Sequence, residues 1–146
     1  MRIYTLHFDG SCYPNPGGIG AYGYTIQHSD TFVKEGNGVI GQWKDITNNF
    51  SEFYALYKGL ERLQNEIIAP AHVEVKGDSA LVIKTMSNRW KSNKTKEYHK
   101  AYLKCKEITK ILRKKGVIIS FNHVPRQNNQ RCDYLSKLCR NPVVTK

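Results

Sequence analysis

The sequence predicts an α/β fold: a five-stranded mixed sheet, three antiparallel strands plus two parallel, flanked by helices in the order βββαβααβα. Three observations carry this prediction. The first forty or so residues alternate apolar and polar positions with a period of two. From Asn49 the apolar residues recur at helical spacing instead. After Pro70, two short apolar runs are separated by helical segments, the pattern of parallel strands joined through helices.

Residues 2–8 set Ile3, Thr5 and His7 against Tyr4, Leu6 and Phe8, a strand that Asp9-Gly10-Ser11 is expected to close. A Pro/Gly-rich turn follows, Tyr13 to Gly18. Residues 20–28 and 31–40 read as two further strands, joined through Ser29-Asp30 and ending near Gly41, so the opening is an antiparallel meander. Phe53, Leu56, Tyr57, Leu60 and Leu63 then mark one face of a helix running to the break before Pro70. His72–Lys76 is a short strand. Helices are expected over 79–89, with Leu81, Val82 and Met86 inward, and over 96–114, stopped by Gly116. Val117–Phe121 is the fifth strand, and 128–140 the last helix, with Cys132, Leu135, Leu138 and Cys139 inward.

With 146 residues, 40% of them hydrophobic and 24% charged, the chain suits one domain, 1–146, with a single core. No apolar run approaches the roughly 18 residues of a membrane span, and MRIYTLHF enters a strand pattern without signal-peptide features. A soluble, cytoplasmic monomer is the expectation. Cys12, Cys105, Cys132 and Cys139 form no Cys-x-x-Cys pair, and no His spacing completes a zinc site, so all four read as reduced thiols. The formal charge is +11, which points to a polyanionic partner, nucleic acid before membrane. Between Lys84 and Lys115 twelve basic residues stand against two acids, Glu97 and Glu107. A solvated helix face is the alternative reading of that stretch.

Connectivity then places the acids. With the first strand rising, the meander makes the third rise as well, and the helix from Asn49 starts at the top and descends. Strands 72–76 and 117–121 rise, and the last helix starts at the top. Asp9, Glu52, Asp78 and Asp133 therefore all reach the carboxyl edge of the sheet, where open α/β sheets bind ligands. Each has a structural reading taken singly: an Asp-Gly turn, an Asn49-x-x-Glu52 capping box, a helix cap at Asp78, a dipole contact at Asp133. Gathered together, four carboxylates repel unless some are protonated or a cation neutralises them. An all-oxygen set suits two Mg²⁺ or Mn²⁺ ions, which assist in-line phosphoryl displacement.

Four segments carry a resemblance: Asp9-Gly10-Ser11-Cys12 with Asn15-Pro16-Gly17, Thr47-Asn48-Asn49-Phe50-Ser51-Glu52, Gly77-Asp78-Ser79, and Arg131-Cys132-Asp133. In this order, over nearly the whole chain, the sequence resembles a type 1 ribonuclease H. The resemblance implies the ribonuclease H-like fold and hydrolysis of the RNA strand of RNA–DNA hybrids, leaving 5′-phosphate and 3′-hydroxyl ends. It implies that Asp9 bridges two Mg²⁺ ions, that Glu52 and Asp78 hold one, and that Asp133 helps hold the other. It assigns Gly10, Ser11, Asn15, Asn48 and Asn49 to the hybrid, with the asparagines at the minor groove that displays the 2′-hydroxyls. Thr47 matches a residue that grips a DNA phosphate. His123 has the spacing of a mobile catalytic histidine, yet His123-Val124-Pro125-Arg126 resembles a branch in which this position only ends a strand. Trp90, Lys91 and the lysines through Lys106 resemble a shortened basic handle, and no amino-terminal hybrid-binding module is expected. A non-catalytic hybrid binder, or an integrase- or resolvase-like nuclease on the same fold, are the competing expectations.

Overall fold

The computed structural model describes residues 1–29 and 31–140, with the side chains of Phe32 and Val33 left aside. Asp30 of the expected second turn, and the last six residues of the expected domain, lie outside the described residues. Five strands, β1 (Arg2–Tyr13), β2 (Ile19–His28), β3 (Thr31–Gln42), β4 (Ala71–Gly77) and β5 (Val117–His123), form one sheet in the order β3-β2-β1-β4-β5. The helices are α1 (Asn48–Glu66), α2 (Ala80–Met86), α3 (His99–Lys114) and α4 (Gln130–Arg140). β1 pairs antiparallel with β2, and β4 pairs parallel with both β1 and β5, as the period changes predict.

Alternation decides which face each helix covers. Tyr4, Leu6, Phe8, Val73, Val75, Val117 and Ile119 point to one side and are buried with Phe53, Leu56, Leu60 and Leu63 of α1 and Cys105, Ile108 and Leu112 of α3. α4 covers the opposite face over β1, β2 and β3. It fits closely because β2 has no side chain at Gly23, where an added Cβ would lie 2.6 Å from the Cys132 carbonyl oxygen. All four cysteines are free.

Several boundaries differ from the sequence reading. Asp9-Gly10-Ser11 does not turn: β1 continues to Tyr13, because β2 pairs with it as far as Tyr13–Ile19. On the other flank the pairing stops at His7–Lys76, so the upper part of β1 is open on the β4 side. α1 is capped by Thr47, whose hydroxyl accepts from the Phe50 N–H at 3.0 Å, and not by an Asn49 box. That start moves Glu52 from the first to the second turn. Ser79, not Asp78, caps α2 by accepting from Val82 N–H, and the helix stops at Met86 rather than at residue 89. α3 starts at His99, three residues late, since Tyr98 gives its N-terminus no side-chain cap. β3 and β5 each run two residues further, to Gln42 and His123. Residues 126–128 form a 3-10 turn, which delays α4 to Gln130.

Candidate active site

The open flank of β1 is where the acids collect. Asp9 lies on the central strand, two residues beyond its last pairing with β4, and is buried. Asp78 is the residue immediately after β4. Glu52 comes from α1, which can approach β1 because Gly10 has no side chain: an added Cβ would sit 2.2 Å from the Ser51 carbonyl carbon. The Gly10 N–H donates to Glu52 Oε1 at 2.6 Å, which fixes the carboxylate against the strand. Oxygens of Asp9, Glu52 and Asp78 lie within 4.8 Å of one another.

Asp133, in the first turn of α4, stands outside that trio with Lys137 Nζ 3.2 Å from its Oδ2. Its charge is nonetheless felt by Asp9. Three polar ties hold α4 in place for this. Asn129 Nδ2 donates to the Phe8 carbonyl at 2.8 Å, Asn37 Nδ2 donates to the Leu135 carbonyl at 2.9 Å, and Arg131 grips both Glu35 oxygens.

The crowding has an electrostatic signature. Burial first, then the charges of Asp78 and Asp133, push the Asp9 carboxyl from 3.8 up to about 7, against a lowering hydrogen bond from Glu52. Burial and then Asp9 hold Glu52 well above the ordinary carboxylate range. Asp9 and Glu52 therefore titrate as one pair sharing a proton. An all-oxygen set that resists ionisation in this way suits a hard divalent cation, which replaces the shared proton.

A groove of about 600 Å³ lies at the start of α1, the helix that carries Glu52, lined among others by Asn15, Thr47, Asn48, Asn49 and Glu97. Its wall is knit together: Asn48 Oδ1 accepts from Cys12 N–H at 2.7 Å, and Asn48 N–H donates to Asn15 Oδ1 at 3.1 Å. Ser11, two residues along β1 from Asp9, is buried with no partner for its hydroxyl among the described residues. Trp90 is exposed, with the Lys84 ammonium 4.8 Å from its ring centre, so it is not a core residue. Lys91 is exposed beside it. The handle-like stretch runs as irregular turns up to Tyr98 and continues on α3, which carries Lys100, Lys104 and Lys106. His123 ends β5, exposed, with Nε2 3.2 Å from the Asp78 carbonyl oxygen.

Two residues of this region escaped the sequence reading. Arg126 Nε lies 3.7 Å from Asp78 Oδ2. Thr47 Oγ1 donates to Glu97 Oε1 at 2.5 Å, so an acid occupies the hydroxyl assigned to a phosphate. An acid kept within a strongly basic run was the available signal for Glu97.

The RNase H family model matches residues 1–140. The chain belongs to the RNase H family. Ribonuclease H of Clostridium botulinum is 30% identical, over 93% of this chain and 94% of that protein. The crystal structure of RNase H1 from Halobacterium salinarum superposes with a TM-score of 0.82 at 29% identity, covering 96% of this chain and 98% of that one. LC11-RNase H1, solved in complex with an RNA/DNA hybrid, gives 0.80 at 26% identity, covering 97% and 99%. As an RNase H the protein is a hydrolase acting on RNA, and its sheet order is that of the fold. Among the described residues no helix is long and apolar enough to cross a membrane.

Proposed function

We propose that this RNase H cleaves the RNA strand of RNA–DNA hybrids, with little regard to sequence, leaving 5′-phosphate and 3′-hydroxyl ends. The observation that carries the reading is the carboxylate trio on the open flank of β1, together with an asparagine-lined groove at the start of α1, the helix that supplies Glu52. The hybrid bound by LC11-RNase H1 supports it. Asp9, Glu52 and Asp78, joined by Asp133, would hold two divalent ions, Mg²⁺ by preference and Mn²⁺ as a substitute. Ions bound there supply charge stabilisation to the attacking and leaving oxygens of an in-line displacement.

The remaining work falls to the chain itself. Asn15, Asn48 and Asn49 offer amides to the minor groove, where 2′-hydroxyls distinguish RNA from DNA. Trp90 and Lys91 take the backbone of the other strand, which fixes orientation without reading bases. Asp9 and Glu52, whose burial and mutual proximity disfavour ionisation, would be the acids most dependent on a bound cation for their charged form. All four acids come from one chain, so a monomer is a complete catalytic unit. The test is cleavage of a labelled hybrid with Mg²⁺, beside duplex RNA, duplex DNA and single strands. Asp9→Asn and Asp78→Asn should each lose more than about 100-fold in rate. Unchanged cleavage by both variants refutes the mechanism, and equal cutting of duplex DNA refutes the substrate. Metal-independent binding without turnover would identify a binder instead.

A further inference from the structure

A second groove, away from the acids, lies between the last turn of α2 and the carboxyl half of α3. Its volume is about 430 Å³, within the roughly 300–1,000 Å³ of small-ligand sites. Met86 and Tyr102 give it an apolar wall. Lys106, Lys110, Arg113 and Lys114 line it from one face of α3, at spacings that make them neighbours. No acidic side chain lines it, and none of the four cations takes part in an ion pair among the described residues. Of the four, Arg113 alone has a hydrogen-bond partner among the described residues, donating through Nη2 to the Ile119 carbonyl at 3.2 Å.

Like charges crowded on one helix face repel, and although Glu107 stands on the same helix, it forms no ion pair with any of the four among the described residues. A second observation points the same way. Thr85 of α2 and Thr109 of α3 both line the groove and are only 1% and 3% exposed. Both hydroxyls lack a hydrogen-bond partner among the described residues, an unusual condition for buried polar atoms. Unmatched cations, stranded hydroxyls and an aromatic wall together describe the complement of a phosphate ester carrying a flat ring.

We propose that this groove binds a nucleoside phosphate, the phosphate held by Lys106, Lys110 and Arg113 and the base laid against Met86 and Tyr102. The site is distinct from the acid cluster: Asp78 precedes α2, and the groove takes its far end, roughly 10 Å away along the axis. The same chemistry has two sources, a free nucleotide or one nucleotide of a strand leaving the duplex.

The test uses the full chain, fluorescent adenosine 5′-monophosphate and a labelled hexathymidylate, read by anisotropy at low salt. Lys106→Gln/Lys110→Gln is expected to weaken the preferred probe at least tenfold, and Thr109→Val severalfold. The charge-matched control Arg2→Gln/Lys34→Gln and the site variant Asp9→Asn should both bind as the parent does. Preference for the mononucleotide identifies a free ligand, and preference for the oligonucleotide identifies a strand. If neither probe responds to the groove variants, or the control loses as much as they do, the proposal is overturned. Because Asp9→Asn abolishes the proposed cleavage but spares this binding, failure of one reading is distinguishable from failure of the other.

Discussion

Asp9→Asn should stabilise the metal-free protein at pH 8 even as it abolishes turnover. The Asp9 carboxyl is pushed from 3.8 up to about 7, so the folded chain holds that proton more tightly than the unfolded chain does. Below about pH 4 both states carry the proton and there is no penalty. Between about 4 and 7 the folded state binds more protons, so stability falls as pH rises. Above about 7 the full cost is present. At about 1.4 kcal/mol per pH unit, the gap corresponds to a ceiling of about 4 kcal/mol. Glu52 shares the proton, so the Asp9→Asn substitution relieves part of that sum, about 1–4 kcal/mol. For a domain of this size that raises Tm by roughly 3–15 °C. The assay is thermal unfolding in EDTA at pH 5, 6, 7 and 8, wild type against variant. The gap between the two curves should be smallest at pH 5, widen up to about pH 7 and level off by pH 8, and Mg²⁺ should raise the wild-type Tm at pH 8. A variant that melts at or below wild type at pH 8 refutes the crowding argument.

Three other perturbations test separate parts of the site. Gly10→Ala places a methyl against the Ser51 backbone. It should cost about 1–3 kcal/mol and displace Glu52 from Asp9, seen as lower Mg²⁺ affinity by calorimetry. Glu97→Gln removes the charge held by the Thr47 hydroxyl. Hybrid binding in Ca²⁺ should tighten about two- to fivefold, as expected for one partly exposed charge, whereas weakened binding would show that Glu97 supports the groove. Neutralising Lys91, Lys94 and Lys96 should flatten the salt dependence of hybrid binding by nearly one unit for each phosphate no longer neutralised. An unchanged slope would return these lysines to the role of a solvated face.

What the sequence disclosed was mostly connectivity. Period changes at Asn49 and beyond sufficed to order the elements, and order alone sent Asp9, Glu52 and Asp78 to one edge. Local chemistry was less readable, because the same short signals serve two purposes. Asp9-Gly10 looks like a turn, but here the glycine admits α1 and the strand runs on. Glu52 looks like the far member of a capping box, but its carboxylate is drawn to the Gly10 N–H across the fold. The Glu97–Thr47 bond joins residues 50 apart, which no local pattern encodes. The basic stretch was legible as charge, but its shape was not. Asn93 folds back on Thr95 through its side chain, and turns replace the expected first helical residues.

β1 is hydrogen-bonded on both sides from Tyr4 to His7 and on the β2 side as far as Tyr13, whereas α4 is the last helix described and is tied to the sheet through side chains. The acids thus belong to parts of the molecule that open at different free energies. The doubly paired amides of Tyr4 to His7, just short of Asp9, should be among the slowest to exchange with deuterium, whereas those of α4, which carries Asp133, should exchange sooner. Catalysis would then fade on warming before the sheet loosens, with α4 acting as the fuse.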